Sequence, residues 1–258
     1  MNKYLKVVAG FVLLFALFMT AEYFVLFKNN ASGFLGFQLL FFVAAYLIAK
    51  WQGYKSLAAW GIDTKKRWLK HLIAGMIMGV LLYGLSFYTI VYLNGEIIQP
   101  VPSLTAVLPQ LALFCFGTFF SSFSEDILTR GYLYRHFGNK MPVSLFIVLS
   151  SSVYLLNHIY RLTGGWETCI YLFLLGVLFV IPMIITKRLW FTGGMHWIGN
   201  TTFYFTHTII NTSNSNAAIS PNLVFIFCIL IFIPISILLV YALKLNKQST
   251  HSGRHSLA

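Results

Sequence analysis

The chain reads as eight apolar runs broken by short polar stretches, at about 5–27, 33–49, 71–93, 104–137, 143–160, 167–186, 195–210 and 223–243. An α-helix needs about 20 residues to cross a hydrocarbon core. The pattern therefore predicts an all-α, polytopic integral membrane protein with about eight transmembrane helices in a single domain over residues 1–258. The first run follows Lys3 and Lys6 and passes Met19-Thr20-Ala21 much as a signal peptide would. It stays apolar to Phe27, so an uncleaved helix is expected. Between the fourth and fifth runs, Gly138-Asn139-Lys140-Met141-Pro142 is strong helix-stop chemistry. Lys187-Arg188 and Gly193-Gly194 precede the seventh run. The stretch 244–258 is polar and is expected to be a disordered cytoplasmic tail.

Composition agrees with the pattern. Residues are 58% hydrophobic and only 9% charged, against about 25% charged in soluble domains. The net charge of +12 raises the possibility of a nucleic-acid partner. The basic residues, however, sit in short clusters between apolar runs, as topology determinants do. With the N-terminus inside, sixteen of the eighteen Lys and Arg fall on the cytoplasmic side, and only Lys28 and Arg161 lie outside. Trp51, Trp60 and Trp68 flank the basic second loop as interfacial anchors. The expectation is a multi-pass protein of the cell membrane with both termini cytoplasmic, whose partner is the bilayer and not nucleic acid. Cys115, Cys169 and Cys228 stand singly in apolar runs, so neither a zinc knuckle nor a disulfide framework is indicated.

Within the fourth run, Glu125 and Asp126 stand side by side, two of only six acidic residues in the chain. An ionisable group inside a membrane segment costs about 2.5–3.5 kcal/mol on insertion scales and points to function. Asp126 and Arg130 are four apart and share a helix face, which suits a carboxylate–guanidinium pair. Glu125 lies about 100° round the helix, out of easy reach of the same guanidinium. It is thus left free for chemistry. A cluster that merely stitches helices together is the competing reading.

Two histidines are embedded in later runs. His158 ends Ser150-Ser151-Ser152-Val153-Tyr154-Leu155-Leu156-Asn157-His158, and His196 shares a face with Asn200 four residues on. A helical hairpin about the 138–142 turn would bring Glu125 and His158 to one depth. His196 lies ~12 Å along its helix from Lys187-Arg188, and His207 is ~16 Å further. His207 is read as an outer-end polar residue. The other groups are expected to converge on a site reached from the cytoplasmic side.

Glu125-Asp126…Arg130-Gly131, Tyr154…His158 and His196…Asn200 together resemble the three motifs of the CPBP intramembrane proteases. That family includes the CAAX prenyl endopeptidases and the bacterial bacteriocin-processing and abortive-infection membrane proteases. The resemblance covers about 104–210, the expected catalytic core of a CAAX-protease-like helical bundle. Two positions depart from the family pattern: Asp126 stands where Glu is commoner, and Tyr154 where Phe is usual. The resemblance implies a catalytic set of Glu125, His158, His196 and Asn200, supported by Asp126, Arg130 and Tyr154.

Two mechanisms fit these residue types. In one, Glu125 is the general base, His158 polarises the water, and His196 and Asn200 donate to the oxyanion. In the other, Glu125, His158 and His196 hold a divalent metal such as zinc. No His-Glu-x-x-His or Gly-x-Ser-x-Gly motif is present. The expected substrate is a membrane-associated peptide or lipidated protein. The rival classes are a non-enzymatic immunity factor or regulatory partner, in which Glu125 and His158 would be dispensable, and an ion-coupled transporter. The absence of an evident internal repeat counts against the transporter.

Overall fold

Every apolar run is a helix in the computed structural model, which describes residues 2–93, 96–210, 212–214 and 219–245. The first helices are α1 (Lys3–Lys28), α2 (Ala31–Trp51), α3 (Trp68–Tyr92) and α4 (Leu104–Asp126). The fourth rod continues through a π-helical turn, Ile127–Tyr132, into α5 (Leu133–Phe137). There follow α6 (Val143–Asn157), α7 (Trp166–Thr186), α8 (Trp190–Tyr204) with a π-helical turn Phe205–Ile209, and α9 (Pro221–Leu245). Six of these rods are long and apolar enough to cross a membrane. The protein is thus an all-α multi-pass membrane protein. At 15 residues, α6 covers only about 22 Å at 1.5 Å per residue, and by length alone it falls short of a crossing.

The ends of the rods define two ends of the bundle. At one, Arg188 Nε meets Asp63 Oδ1 at 3.2 Å, and Gln52 Nε2 donates to Tyr132 Oη at 2.7 Å. Tyr132 Oη donates to the Val7 carbonyl at 2.8 Å, and the buried Trp60 donates to the Ala45 carbonyl at 2.9 Å. This is the end of the basic loops. At the other, Arg161 Nη2 lies 3.7 Å from Glu22 Oε2. Here two segments between apolar runs pair into a two-stranded antiparallel sheet, β1 (Glu96–Ile98) with β2 (Thr212–Asn214), in register Ile97 to Ser213. A short strand pair of this kind leaves no periodic signal in three residues a side. The part of the expected 244–258 tail from Asn246 onward lies outside the described residues.

The tightest seam in the bundle lies between α3 and α8. A Cβ on Gly75 would fall 2.0 Å from the Phe191 carbonyl oxygen, and one on Gly194 would fall 2.4 Å from that of Leu72. Small residues here let two backbones approach closely, the usual way membrane helices gain contact without a hydrophobic drive. The Gly193-Gly194 pair is therefore helix interior, and α8 starts at Trp190, five residues earlier than the hydropathy suggests. The seam fixes the depth of His196.

Candidate active site

The fourth rod changes its winding immediately after the acidic pair. A π-helical turn leaves carbonyls misaligned for regular pairing, and such turns recur at functional sites. Here Ser150 Oγ of α6 donates to the Thr129 carbonyl at 2.8 Å, and Thr129 Oγ1 donates to the Glu125 carbonyl at 2.7 Å. One residue before Glu125, Ser124 Oγ donates to Oε1 of the buried Gln38 in α2 at 2.6 Å. The Glu125 backbone is thus tied to neighbours on either side.

The two acids divide as their spacing predicts. Arg130 Nη1 makes an ion pair with Asp126 Oδ1, both side chains fully buried. The guanidinium lies 4.6 Å from the Tyr154 ring centroid and 5.0 Å from that of Phe179, so two aromatic faces help compensate its burial. Tyr154 thus meets Arg130 with its ring face. Arg130 belongs to this cluster and not to the cytoplasmic charges among which the charge count placed it.

His196 sits between the acids. Its Nδ1 is 3.2 Å from Asp126 Oδ1 and its Nε2 is 3.5 Å from Glu125 Oε2. The ring stacks on Phe179 with centroids 4.7 Å apart. Donation from Nδ1 to Asp126 orients the imidazole, so that Nε2 faces Glu125.

His158 approaches from the other side, with Nδ1 at 3.5 Å from Glu125 Oε1. It is not inside the fifth apolar run, as its sequence suggests, but terminates α6 at φ −97° and ψ 24°. Nδ1 also lies 2.9 Å from the Tyr154 carbonyl, and that bond assigns it the proton. The neighbouring Asn157 donates from Nδ2 to Glu125 Oε1 at 3.3 Å, a contact the sequence did not single out. Asn200, one turn beyond His196, donates from Nδ2 to Ser122 Oγ at 3.2 Å. Of the expected catalytic set, His158 and His196 each place a ring nitrogen 3.5 Å from Glu125. Asn200 shares their cavities without a direct contact to Glu125 among the described interactions.

Two cavities meet these groups. The first, about 210 Å³, is lined by Glu125, Asn157, His158 and Asn200, with Glu22 and Arg161 further out. The second, about 360 Å³, is lined by Tyr154, His158, Arg161 and Asn200, with Glu96 and His207 further out. Both lie toward the end of the bundle that carries the β1–β2 pair. Entry from the basic-loop end, the sequence expectation, is not what these cavities provide. Glu22 and Arg161 were missed, although Glu22 carried the same signal as Glu125: a carboxylate within an apolar run.

The donor set does not close around a metal. Among the described residues, no three His, Cys, Asp or Glu side chains group as a metal site would require. The His158 nitrogen nearest Glu125 is engaged by the Tyr154 carbonyl, and the two imidazoles address different oxygens of Glu125.

Residues 107–202 match the family model described as Rce1-like, type II CAAX prenyl endopeptidase Rce1-like. The matched stretch holds Glu125, Asp126, Arg130, Tyr154, His158, His196 and Asn200. No curated protein and no solved structure matches the chain.

Proposed function

We propose, from the CAAX-protease-like character of residues 107–202, that the protein is an intramembrane endopeptidase hydrolysing a peptide bond of a membrane-associated peptide. The observation that carries the proposal is the position of Glu125. It is buried, relieved of Arg130 by Asp126, within 3.5 Å of an imidazole nitrogen on either side, and open to a cavity.

Glu125 takes a proton from a water in the first cavity and directs the oxygen at the scissile carbonyl. His158, its Nδ1 proton given to the Tyr154 carbonyl, keeps Nε2 as an acceptor that polarises the same water. The tetrahedral oxyanion is met by the Asn200 amide, one turn beyond His196 on α8, and His196 is held by Asp126 beside the base. Glu125 then returns its proton to the leaving amine, so the net reaction consumes one water and no other reactant. Asp126 and Arg130 act through His196, holding its ring. No metal enters these steps. The orientation we assign, with the basic-loop end and both termini cytoplasmic, follows the distribution of Lys and Arg.

The test is hydrolysis of a quenched-fluorescence peptide library by the purified protein in lipid nanodiscs. Cleavage that disappears in Glu125→Gln, with the variant folded and in the membrane, supports the proposal. Cleavage undiminished in Glu125→Gln overturns the assignment. A protein inactive on every peptide, but whose cellular role survives Glu125→Gln, would be a non-enzymatic partner.

A further inference from the structure

Among the described residues, the two cavities that meet Glu125 and His158 lie toward the end of the bundle away from the basic loops. On the basic-loop side the acid is backed by Ile127, Thr129, Arg130, Tyr132 and Phe191, all at 0% exposure. Beyond them the Gln52–Tyr132–Val7 hydrogen bonds join α1, α2 and the π-helical turn. On the opposite side the first cavity is walled by the end of α1 from Phe18 to Leu26, the first turn of α2 and the middle of α4 from Leu113 onward. The α1 and α2 walls are at rod ends that lie away from the basic loops. The lining residues Leu26, Leu113 and Phe116 are 43%, 61% and 56% exposed. Arg161, half-exposed and paired with Glu22, borders both cavities.

We infer that the site receives its substrate from the end opposite the basic loops, which the charge distribution makes the non-cytoplasmic face. The occupant that fits is an apolar peptide segment on that face or in that leaflet. The walls contributed by Phe34, Leu35, Phe114 and Phe203 are apolar, and the polar lining is Glu125, Asn157, His158 and Asn200 together with the Glu22–Arg161 pair. Such a division suits a cavity that desolvates apolar side chains while a few polar groups orient one bond. Exported peptides and the outer ends of membrane segments present that chemistry. On the basic-loop side the Gln52–Tyr132–Val7 hydrogen bonds stand between a cytosolic chain end and this cavity. The inference rests on Glu125 marking the reacting centre.

Single cysteines read the direction of access without any activity assay. Gly117 borders the first cavity, and a Cβ there meets nothing within 4 Å. Ser121 borders the same cavity one turn from Glu125. Gly117→Cys, Ser121→Cys and the basic-loop control Lys65→Cys are made in the full chain with Cys115, Cys169 and Cys228 replaced by Ala. Intact cells are treated with a membrane-impermeant methanethiosulfonate. Loss of free thiol in Gly117→Cys and Ser121→Cys, with Lys65→Cys protected until the cells are permeabilised, is the expected result. Reaction of the cavity cysteines only after permeabilisation, alongside Lys65→Cys, overturns the inference and leaves the catalytic assignment intact. Cavity cysteines labelled from outside in a protein whose Glu125→Gln variant keeps full activity would instead sustain the access route and remove the catalytic reading.

Discussion

Asn157 gives a hydrogen bond to Glu125, Nδ2 to Oε1 at 3.3 Å, while its own Oδ1 has no hydrogen-bond partner among the described residues. The side chain is only 3% exposed and borders the first cavity. A buried, unmatched acceptor is costly unless water or a ligand meets it. Asn157 therefore both orients the base and offers an acceptor to what enters.

Asn157→Ala is expected to lower kcat with little change in thermal midpoint. A hydrogen bond to a charged group is worth about 1.5–3 kcal/mol, so the loss is about 10- to 150-fold. Asn157→Asp is expected to be more damaging than Asn157→Ala, because it removes the donor and sets a like charge beside Glu125. The kcat values of the two variants decide this. An unchanged kcat in both would show that Asn157 has no hold on the base.

The adjacent acids should fail in different ways. Glu125→Gln is expected to remain folded and lose activity. Asp126→Asn leaves the buried Arg130 without its ion pair and His196 without its orienting carboxylate. Removing one side of a buried pair costs about 3–5 kcal/mol, read as a lowered thermal midpoint in detergent. Equal stability of the two variants would contradict the division of roles.

The α3–α8 seam predicts a contrast within one helix. Gly75→Ala places a methyl group against the Phe191 carbonyl, whereas Gly84→Ala meets open space. Overpacking costs about 1–3 kcal/mol. Gly75→Ala is thus expected to lower the thermal midpoint and to impair activity by displacing His196, with Gly84→Ala near wild type. Thermal unfolding and activity measured side by side check both.

Chelation separates the two chemistries that the residue types allow. Under the glutamate mechanism, prolonged dialysis against a strong chelator leaves kcat unchanged, and elemental analysis finds far less than one divalent metal per chain. Activity lost on chelation and restored by zinc would reverse the conclusion drawn from the donor set.

At the far end of the bundle, burial pushes the Glu96 carboxyl up, but hydrogen bonds with His207 and Thr212 outweigh it and hold the group below its ordinary value of 4.5. A carboxylate depressed on folding stabilises the fold above its unfolded value, and that stability is lost as pH falls through the folded value. The β1–β2 closure is therefore expected to weaken only below about that ordinary value. Glu96→Gln should remove this acid limb from the thermal midpoint–pH curve. An unchanged curve would show that the pair contributes nothing.

Hydropathy alone pointed to the all-α membrane class and located the helical runs, six of them long and apolar enough to cross, because a helix in lipid must satisfy its own backbone and present an apolar surface along its length. Helical spacing likewise assigned Asp126 to Arg130 and freed Glu125, since both facts lie within one turn of one helix. Contacts between helices were decided only by the tertiary structure. The π-helical turn after Asp126, the end of α6 at His158 and the early start of α8 depend on Ser150, Tyr154 and the Gly75–Phe191 contact, which are far apart in the chain. The same holds for Asn157 against Glu125 and for Arg161 against Glu22. Sequence also set which end of the bundle is basic, but the cavity's opening at the other end follows from how tightly Tyr132, Gln52 and Val7 close the first. Such closure is a property of packing, to which no periodicity along a single helix can point.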